Sequence, residues 1–350
     1  MSLELKPSSR GGLIGCGAVA RHHLAAWSRC SEVKIEALCE VSPQRLDEAG
    51  ALMPGARLYT DSAAMFRAGA LDFVEICTGP EPHRELVEMA AAARVHVLCQ
   101  KPVALQRDDL RAMIQACRAA GVRFMVHENW RFRAWYRVMR QAIDAGLVGR
   151  PCRLRLAHRD TRALRPGGFG AQGFLAHRDQ LILMEMGCHL VDVARYLMGE
   201  IVAVQAMTAR FGDGHPGEDV AMLHLRFATG ALGCLDMSWC APADLDRPEW
   251  ALNQTVVEGD RATLRLLRDG QVELVDLDGA ATRRPVALPP ADQVYLEGYL
   301  ATQRHFLDGL RTGLPHETSG EETLKTMDVI WAAYRSAAEG RLLEVPQPES

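Results

Sequence analysis

The sequence contains no uncharged run long enough to span a bilayer, and its first ten residues, Met1 to Arg10, hold no apolar stretch of the kind a signal peptide needs. A cytoplasmic protein, without a membrane partner, is expected. A strong charge of either sign is also missing, since 40 Lys and Arg against 44 Asp and Glu leave a formal net charge of -4. The basic side chains are spread along the chain and never alternate with aromatics in one run, which argues against nucleic acid as a partner. Among ten cysteines there is neither a CxxC pair nor a zinc-finger spacing, and most stand singly in apolar or mixed segments, as Cys16, Cys77, Cys99, Cys188 and Cys234 do. They read as reduced, structural thiols, and no metal is implied. Internal repeats and low-complexity segments are absent; only the Pro-rich tail after Val345 reads as loose. What the chain does have is 350 residues of which 48% are hydrophobic, enough for a substantial core and a length that suits a two-domain enzyme.

The first third alternates short apolar runs with Ala-rich helical stretches, the pattern of βαβ units around a parallel sheet. Strands are expected at 12–15, 33–40, 72–77, 95–99 and 122–126, and helices at 85–93 and 108–119, the latter closing at Gly121 as a C-cap. After Val126 the texture changes. A helix carrying Tyr136, Met139 and Ile143 ends near Gly146, and strand-like runs follow at 152–157, 202–209, 220–227, 231–239, 255–258, 262–267 and 272–277. Short turns such as Ala228-Thr229-Gly230 and Arg268-Asp269-Gly270 make successive strands antiparallel. Two helical stretches, 294–310 and 320–338, close the chain. The expectation is an α/β protein: an N-terminal Rossmann domain over 1–126 and a C-terminal α/β domain over 127–350 with a large, mainly antiparallel open sheet.

Gly15-Cys16-Gly17-Ala18-Val19-Ala20 follows a short apolar strand and opens a helix, the context in which G-x-G-x-x-G/A binds a dinucleotide pyrophosphate. Gly15 would make the tight turn, Gly17 would let backbone N–H groups approach the phosphates, and Ala20 is small enough for close helix packing. A chance Gly-rich turn is the alternative. Glu40 ends the second strand, where a carboxylate accepts from ribose hydroxyls and repels a 2′-phosphate, favouring NAD; a solvated strand-end acid is the other reading, and Arg45 lies nearby. The strand ends at Cys77-Thr78-Gly79-Pro80 and Gln100-Lys101-Pro102 fall on the ligand-binding edge of such a sheet.

Lys101 precedes a proline, which favours an extended backbone at the strand end. Its ammonium suits the stabilisation of a developing alkoxide, although a strand-end Lys is more often a surface residue. Further on, residues 185–198 read as a helix capped by Gly199, with Met186, Leu190, Val193 and Leu197 on one stripe and Glu185, His189, Asp192 and Tyr196 on another. Glu185 and His189 make an i, i+4 pair in which the carboxylate can orient a general base. A satisfied core or surface histidine, a solvated polar face and a metal pair are the rivals, the last without a third ligand at motif spacing.

Together these segments resemble the Gfo/Idh/MocA oxidoreductases. The likeness is carried by the glycine loop, by Thr78-Gly79-Pro80-Glu81-Pro82-His83, Lys101-Pro102, Glu128-Asn129-Trp130-Arg131-Phe132 and Glu185-x-Gly187-x-His189-x-x-Asp192, and by Ser336-Ala337-Ala338-Glu339-Gly340-Arg341. It implies an NAD-dependent sugar dehydrogenase in which Lys101 and His189 are catalytic and Glu185 assists. Gly15, Gly17, Ala18, Val19, Glu40, Thr78, His83, Gln100, Lys101 and Asn129 would meet NAD, and Lys101, Arg131, His158, Glu185 and His189 the substrate. A homo-oligomer, dimer or tetramer, formed through the C-terminal sheet is implied as well. Two positions depart from the family: Gln100 stands where most relatives carry glutamate, and Glu185 where most carry aspartate. Cys99-Gln100-Lys101-Pro102, Phe124-Met125-Val126-His127-Glu128-Asn129 and Thr302-Gln303-Arg304-His305-Phe306 are similar to the subfamily that oxidises free aldoses, the branched pentose D-apiose first among them. An inositol or polyol dehydrogenase is the alternative within the same chemistry; an NAD-dependent glycosidase and a non-catalytic NAD-binding regulator are the alternatives outside it.

Overall fold

The computed structural model describes residues 9–243 and 254–347, so the first eight residues and the end of the Pro-rich tail lie outside it. The described chain forms two compact units. One comprises residues up to Asn129 together with Tyr295–Leu324, the other Trp130–Val294 with the chain from Lys325 onward.

In the first unit, strands β1 (Ser9–Ile14), β2 (Val33–Cys39), β3 (Arg57–Tyr59), β4 (Phe73–Ile76), β5 (His96–Gln100) and β6 (Phe124–His127) form one sheet in the order β3-β2-β1-β4-β5-β6. Every pairing is parallel. Central strands covered on both faces are buried along their length, and β4 and β5 are buried at every position, their polar side chains Glu75, His96 and Gln100 included. The order reverses next to β1, so the β1 and β4 ends form the switch point where such sheets bind ligands. The helix Arg107–Ala120 ends on Gly121 at φ 68°, the left-handed C-cap its sequence calls for. β3, only three residues long and half exposed, has too little apolar pattern to stand out in the sequence.

A division at residue 126 does not describe these units, because the helix Val294–Thr312, from Tyr295 on, belongs to the first. Its Phe306 packs edge-on to Phe73 of β4, and Gln303 reaches the buried face of the same strand. Apolar and amide side chains on its inner face find their core far back in the sequence.

The second unit is built on nine strands: β7 (Pro151–Arg159), β8 (Ile201–Ala209), β9 (Val220–Phe227), β10 (Leu232–Ser238), β11 (Gln254–Gly259), β12 (Ala262–Leu266), β13 (Val272–Asp276), β14 (Ala281–Arg284) and β15 (Leu343–Glu344). Their order is β14-β13-β12-β11-β7-β10-β9-β8-β15. β8 to β10 and β11 to β14 are two antiparallel meanders, and β7 joins them, pairing antiparallel with β11 and parallel with β10. Alternation is clear in β9, where Ala221, Leu223, Leu225 and Phe227 are buried while Met222, His224 and Arg226 are exposed. The helix Cys188–Met198 packs on β7 and β10.

Candidate active site

In the first unit the glycine loop has the conformation its sequence requires. Gly15 lies at φ +90°, and a Cβ there would sit 2.8 Å from the backbone nitrogen of Thr78, so only glycine allows β1 and the strand end after β4 to approach this closely. A Cβ on Gly17 would meet nothing within 4 Å, which leaves open space over the loop. Ala20, the first residue of the helix Ala20–Trp27, is buried as a small contact residue should be. Glu40 accepts from Cys16 N at 2.7 Å and Ser42 N at 3.0 Å. The carboxylate expected to read the ribose is thus buried, aimed by two backbone donors, and retains lone pairs for further donors. Burial and the Glu40 charge push the Cys16 thiol up to about 12, which makes it inert.

The other expected cofactor residues are placed less uniformly. His83 is fully buried and turned inward: Nδ1 lies 3.0 Å from Val103 O and Nε2 3.2 Å from Thr78 O. Burial lowers its pKa. Its position is that of a staple between the Thr78 loop and the segment after Lys101. Gln100 is also buried, its Oε1 accepting from Lys101 N at 2.7 Å and its Nε2 lying 2.7 Å from His23 Nε2. The Lys101-Pro102 peptide is cis. Asn129 is 7% exposed, and its Oδ1 has no hydrogen-bond partner among the described residues. An orphaned buried oxygen, an open space over Gly17 and an oriented acid at the second strand end fit a dinucleotide bound along this edge.

In the second unit His189 is 6% exposed, so it does not lie on a solvated face. Its ring stacks on Trp130 with centroids 4.5 Å apart and planes within 4° of parallel. Trp130 in turn carries the Arg133 guanidinium over its ring at 4.4 Å and lies 6.0 Å from His158, which is buried at the end of β7. Arg131 donates from Nε and Nη2 to the two oxygens of Asp192 at 2.8 and 2.6 Å, a bidentate pair in the interior. The Asp192 of the expected polar stripe therefore fixes Arg131. That engagement makes Arg131 a scaffold for the Trp130 segment more than a free hand for substrate.

The expected single helix from Glu185 has a different start. Residues Leu183–Gly187 form a π turn that passes into the α-helix Cys188–Met198. Glu185 and His189 are therefore not a standard α-helical i, i+4 pair, because the wider turn shifts Glu185 around the axis. The turn is held from outside. Glu218 accepts from Leu181 N and Leu183 N at 3.0 to 3.2 Å, and Tyr334 Oη donates to Glu218 at 2.7 Å while accepting from Met184 N at 3.1 Å. The Trp130 to Arg133 spacing was the available sequence signal for the aromatic clamp; nothing in the sequence marks the π turn or its distant anchors.

Residues 9–128 match the oxidoreductase family with an NAD-binding Rossmann fold, and residues 136–265 match the C-terminal domain of the same group. The chain belongs to the Gfo/Idh/MocA oxidoreductases. Among relatives of this family, D-apiose dehydrogenase of Paraburkholderia graminis is 39% identical, over 97% of this chain and 91% of that protein. Myo-inositol 2-dehydrogenase of Thermotoga maritima is 27% identical over 97% and 99%. An oxidoreductase from Agrobacterium radiobacter, solved in complex with NAD+, L-tartaric acid and magnesium, superposes with a TM-score of 0.90 at 33% identity, covering 97% of this chain and 98% of that one. As a Gfo/Idh/MocA protein the chain is an NAD-dependent oxidoreductase of a small molecule.

Proposed function

We propose that this protein is an NAD-dependent sugar dehydrogenase that oxidises a free aldose at its anomeric carbon, with D-apiose the leading substrate. The observation that carries the substrate is 39% identity over nearly the whole chain to a D-apiose dehydrogenase. His189 is the base that takes the hydroxyl proton; its imidazole is held by stacking on Trp130, so that a lone pair can be presented without rotamer search. Lys101 donates to the substrate oxygen as negative charge develops there. Glu185 assists His189, His158 contacts the sugar, and Arg131 sets the position of Trp130 through its pair with Asp192. Gly15, Gly17, Ala18, Val19, Glu40, Thr78 and Asn129 hold the dinucleotide. His83 and Gln100 shape the strand ends on which it rests. NAD, when bound, supplies the hydride acceptor, and the protein supplies placement and charge. An anomeric hydroxyl is acidic among sugar hydroxyls and its oxidation gives a lactone, so one base and one cation suffice.

The open face of the second sheet exposes Met207, Met222 and Leu232, apolar side chains on neighbouring strands that suit a subunit contact, and we assign it to a homo-oligomer, dimer or tetramer, working in the cytoplasm. No helix among the described residues is long and apolar enough to cross a membrane. Oxidation of a cyclic polyol is the second reading, favoured by the myo-inositol 2-dehydrogenase relative. NADH formation measured with purified protein, NAD and either D-apiose or myo-inositol separates the two. Turnover on D-apiose is expected; turnover on the inositol alone replaces the substrate and leaves the dehydrogenase standing.

A further inference from the structure

Behind the strand end that bears Lys101 runs a buried chain of polar side chains that no catalytic role requires. Gln100 Nε2 lies 2.7 Å from His23 Nε2, and His23 Nδ1 lies 2.7 Å from Glu75 Oε1. Glu75 Oε2 accepts from Trp27 Nε1 at 2.6 Å and Gln303 Nε2 at 3.3 Å. Glu75, His23 and Gln303 are wholly buried. The rings of His127 and Tyr299 pack against His23 at 4.4 and 4.7 Å. Three of these residues, His23, Glu75 and His127, bring potential ligand atoms within 4.8 Å of one another, but the 2.7 Å between His23 Nδ1 and Glu75 Oε1 is a hydrogen bond, closer than two ligands of one tetrahedral ion at about 3.3 Å.

The direction of every bond in this chain is fixed by its ends. Lys101 N can only donate, so the Gln100 atom it meets at 2.7 Å is oxygen and the amide nitrogen faces His23. His23 Nε2 must then accept, and its proton sits on Nδ1, directed at Glu75. Trp27 can only donate as well, so both oxygens of Glu75 accept, and Glu75 is the acceptor at the inner end of the network. Position 100 carries no charge, and the carboxylate tied to the Lys101 strand end stands instead at Glu75, two hydrogen bonds further in.

We propose that Glu75 and His23 are positioning residues for Lys101, acting through Gln100, with the carboxylate placed on β4 taking the part of one beside the lysine. This rests on the reading of Lys101 as catalytic. A strict rule of substitution follows. With Glu75→Gln alone, no arrangement of the two amides and either neutral His23 tautomer avoids a donor facing a donor. With Glu75→Gln and Gln100→Glu together the chain closes again in the opposite sense: the amide now at position 75 donates to His23 Nδ1, and His23 Nε2 and Lys101 N donate to the carboxylate now at position 100.

The test measures kcat and NAD affinity for the wild type, Lys101→Ala, Glu75→Gln and the double variant, with ¹⁵N NMR of the His23 ring in the wild-type protein. Glu75→Gln is expected to lower kcat about tenfold or more while NAD affinity stays within about twofold, and Gln100→Glu in that background is expected to recover most of the loss, since only the double variant leaves no buried donor facing a donor. The His23 spectrum is expected to show protonated Nδ1 and bare Nε2. Wild-type kcat in Glu75→Gln, a double variant no more soluble or active than the single, or a His23 proton on Nε2 overturns the proposal. Full activity in Lys101→Ala would instead remove the catalytic reading of the lysine itself.

Discussion

At the scale of single residues, the environment of His189 removes the solvated-face reading, and the variant lacking the ring tests the general base against a packed core histidine. A histidine on a solvated helix face would cost little to remove, whereas this one is buried and stacked in parallel on Trp130. His189→Ala is expected to lower kcat by about 10²- to 10⁴-fold with NAD affinity nearly unchanged, the range for loss of a general base. Glu185→Gln should cost less, because the π turn at Leu183–Gly187 sets it off from the α-helical i, i+4 position. Steady-state kinetics beside calorimetric NAD titration checks both, and near-native turnover of the alanine variant would take His189 out of the mechanism. Burial raises the thiols of Cys16 and Cys117 to about 12 and those of Cys30 and Cys39 to about 11, so these four are structural.

At the scale of elements, the helix that carries His189 depends on contacts remote in sequence. Its first turn is π-helical and its backbone donors are taken by Glu218 and Tyr334, which come from before β9 and from the helix Gly320–Glu339. Burial raises the pKa of Glu218 while its hydrogen bonds oppose the shift, and the same burial raises that of Tyr334. Tyr334→Phe removes the donor to Glu218 and the acceptor of Met184 N together. It should cost about 1–3 kcal/mol in a urea unfolding titration and lower kcat as the start of the His189 helix loosens. An unchanged unfolding midpoint would show that the π turn stands without this anchor.

For the whole molecule, pH is the condition under which these buried groups act together. His83, His96 and His316 are buried with pKa values lowered chiefly by desolvation, and that of His316 falls to about 4. Above pH about 6.5 folded and unfolded chains both hold these rings neutral. Below it the unfolded chain takes up protons that the folded chain refuses, so stability is lost as pH falls from about 6.5 through about 4, by on the order of 2–3 kcal/mol from His316 alone. Its Nε2 meets Phe306 O at 3.0 Å, a bond that an amide can replace. His316→Gln is therefore expected to flatten the dependence of the urea midpoint on pH across that window; an equally steep variant would place the acid lability elsewhere.

Much of this protein was legible without coordinates. Local pattern determines local elements: short, mostly apolar runs gave the parallel strands β4 and β5, strand-like runs between short turns gave the seven main strands of the second sheet, and Gly121 marked the end of its helix. The glycine loop with Glu40 pointed to a dinucleotide, and the likeness over nearly the entire chain pointed to Gfo/Idh/MocA chemistry, because both depend on residue types at fixed spacing. Strands too short to show a period, β3, β14 and β15, left no signal. Neither did the parallel pairing of β7 with β10, which depends on where the chain returns after two intervening strands. Membership of the helix Val294–Thr312 in the first unit, the π turn under His189 and the tie from Glu75 through His23 to Lys101 belong to the tertiary structure alone. Each joins residues far apart in the chain, where a hydrogen bond or a buried face is chosen by what packing brings near and no local period records it.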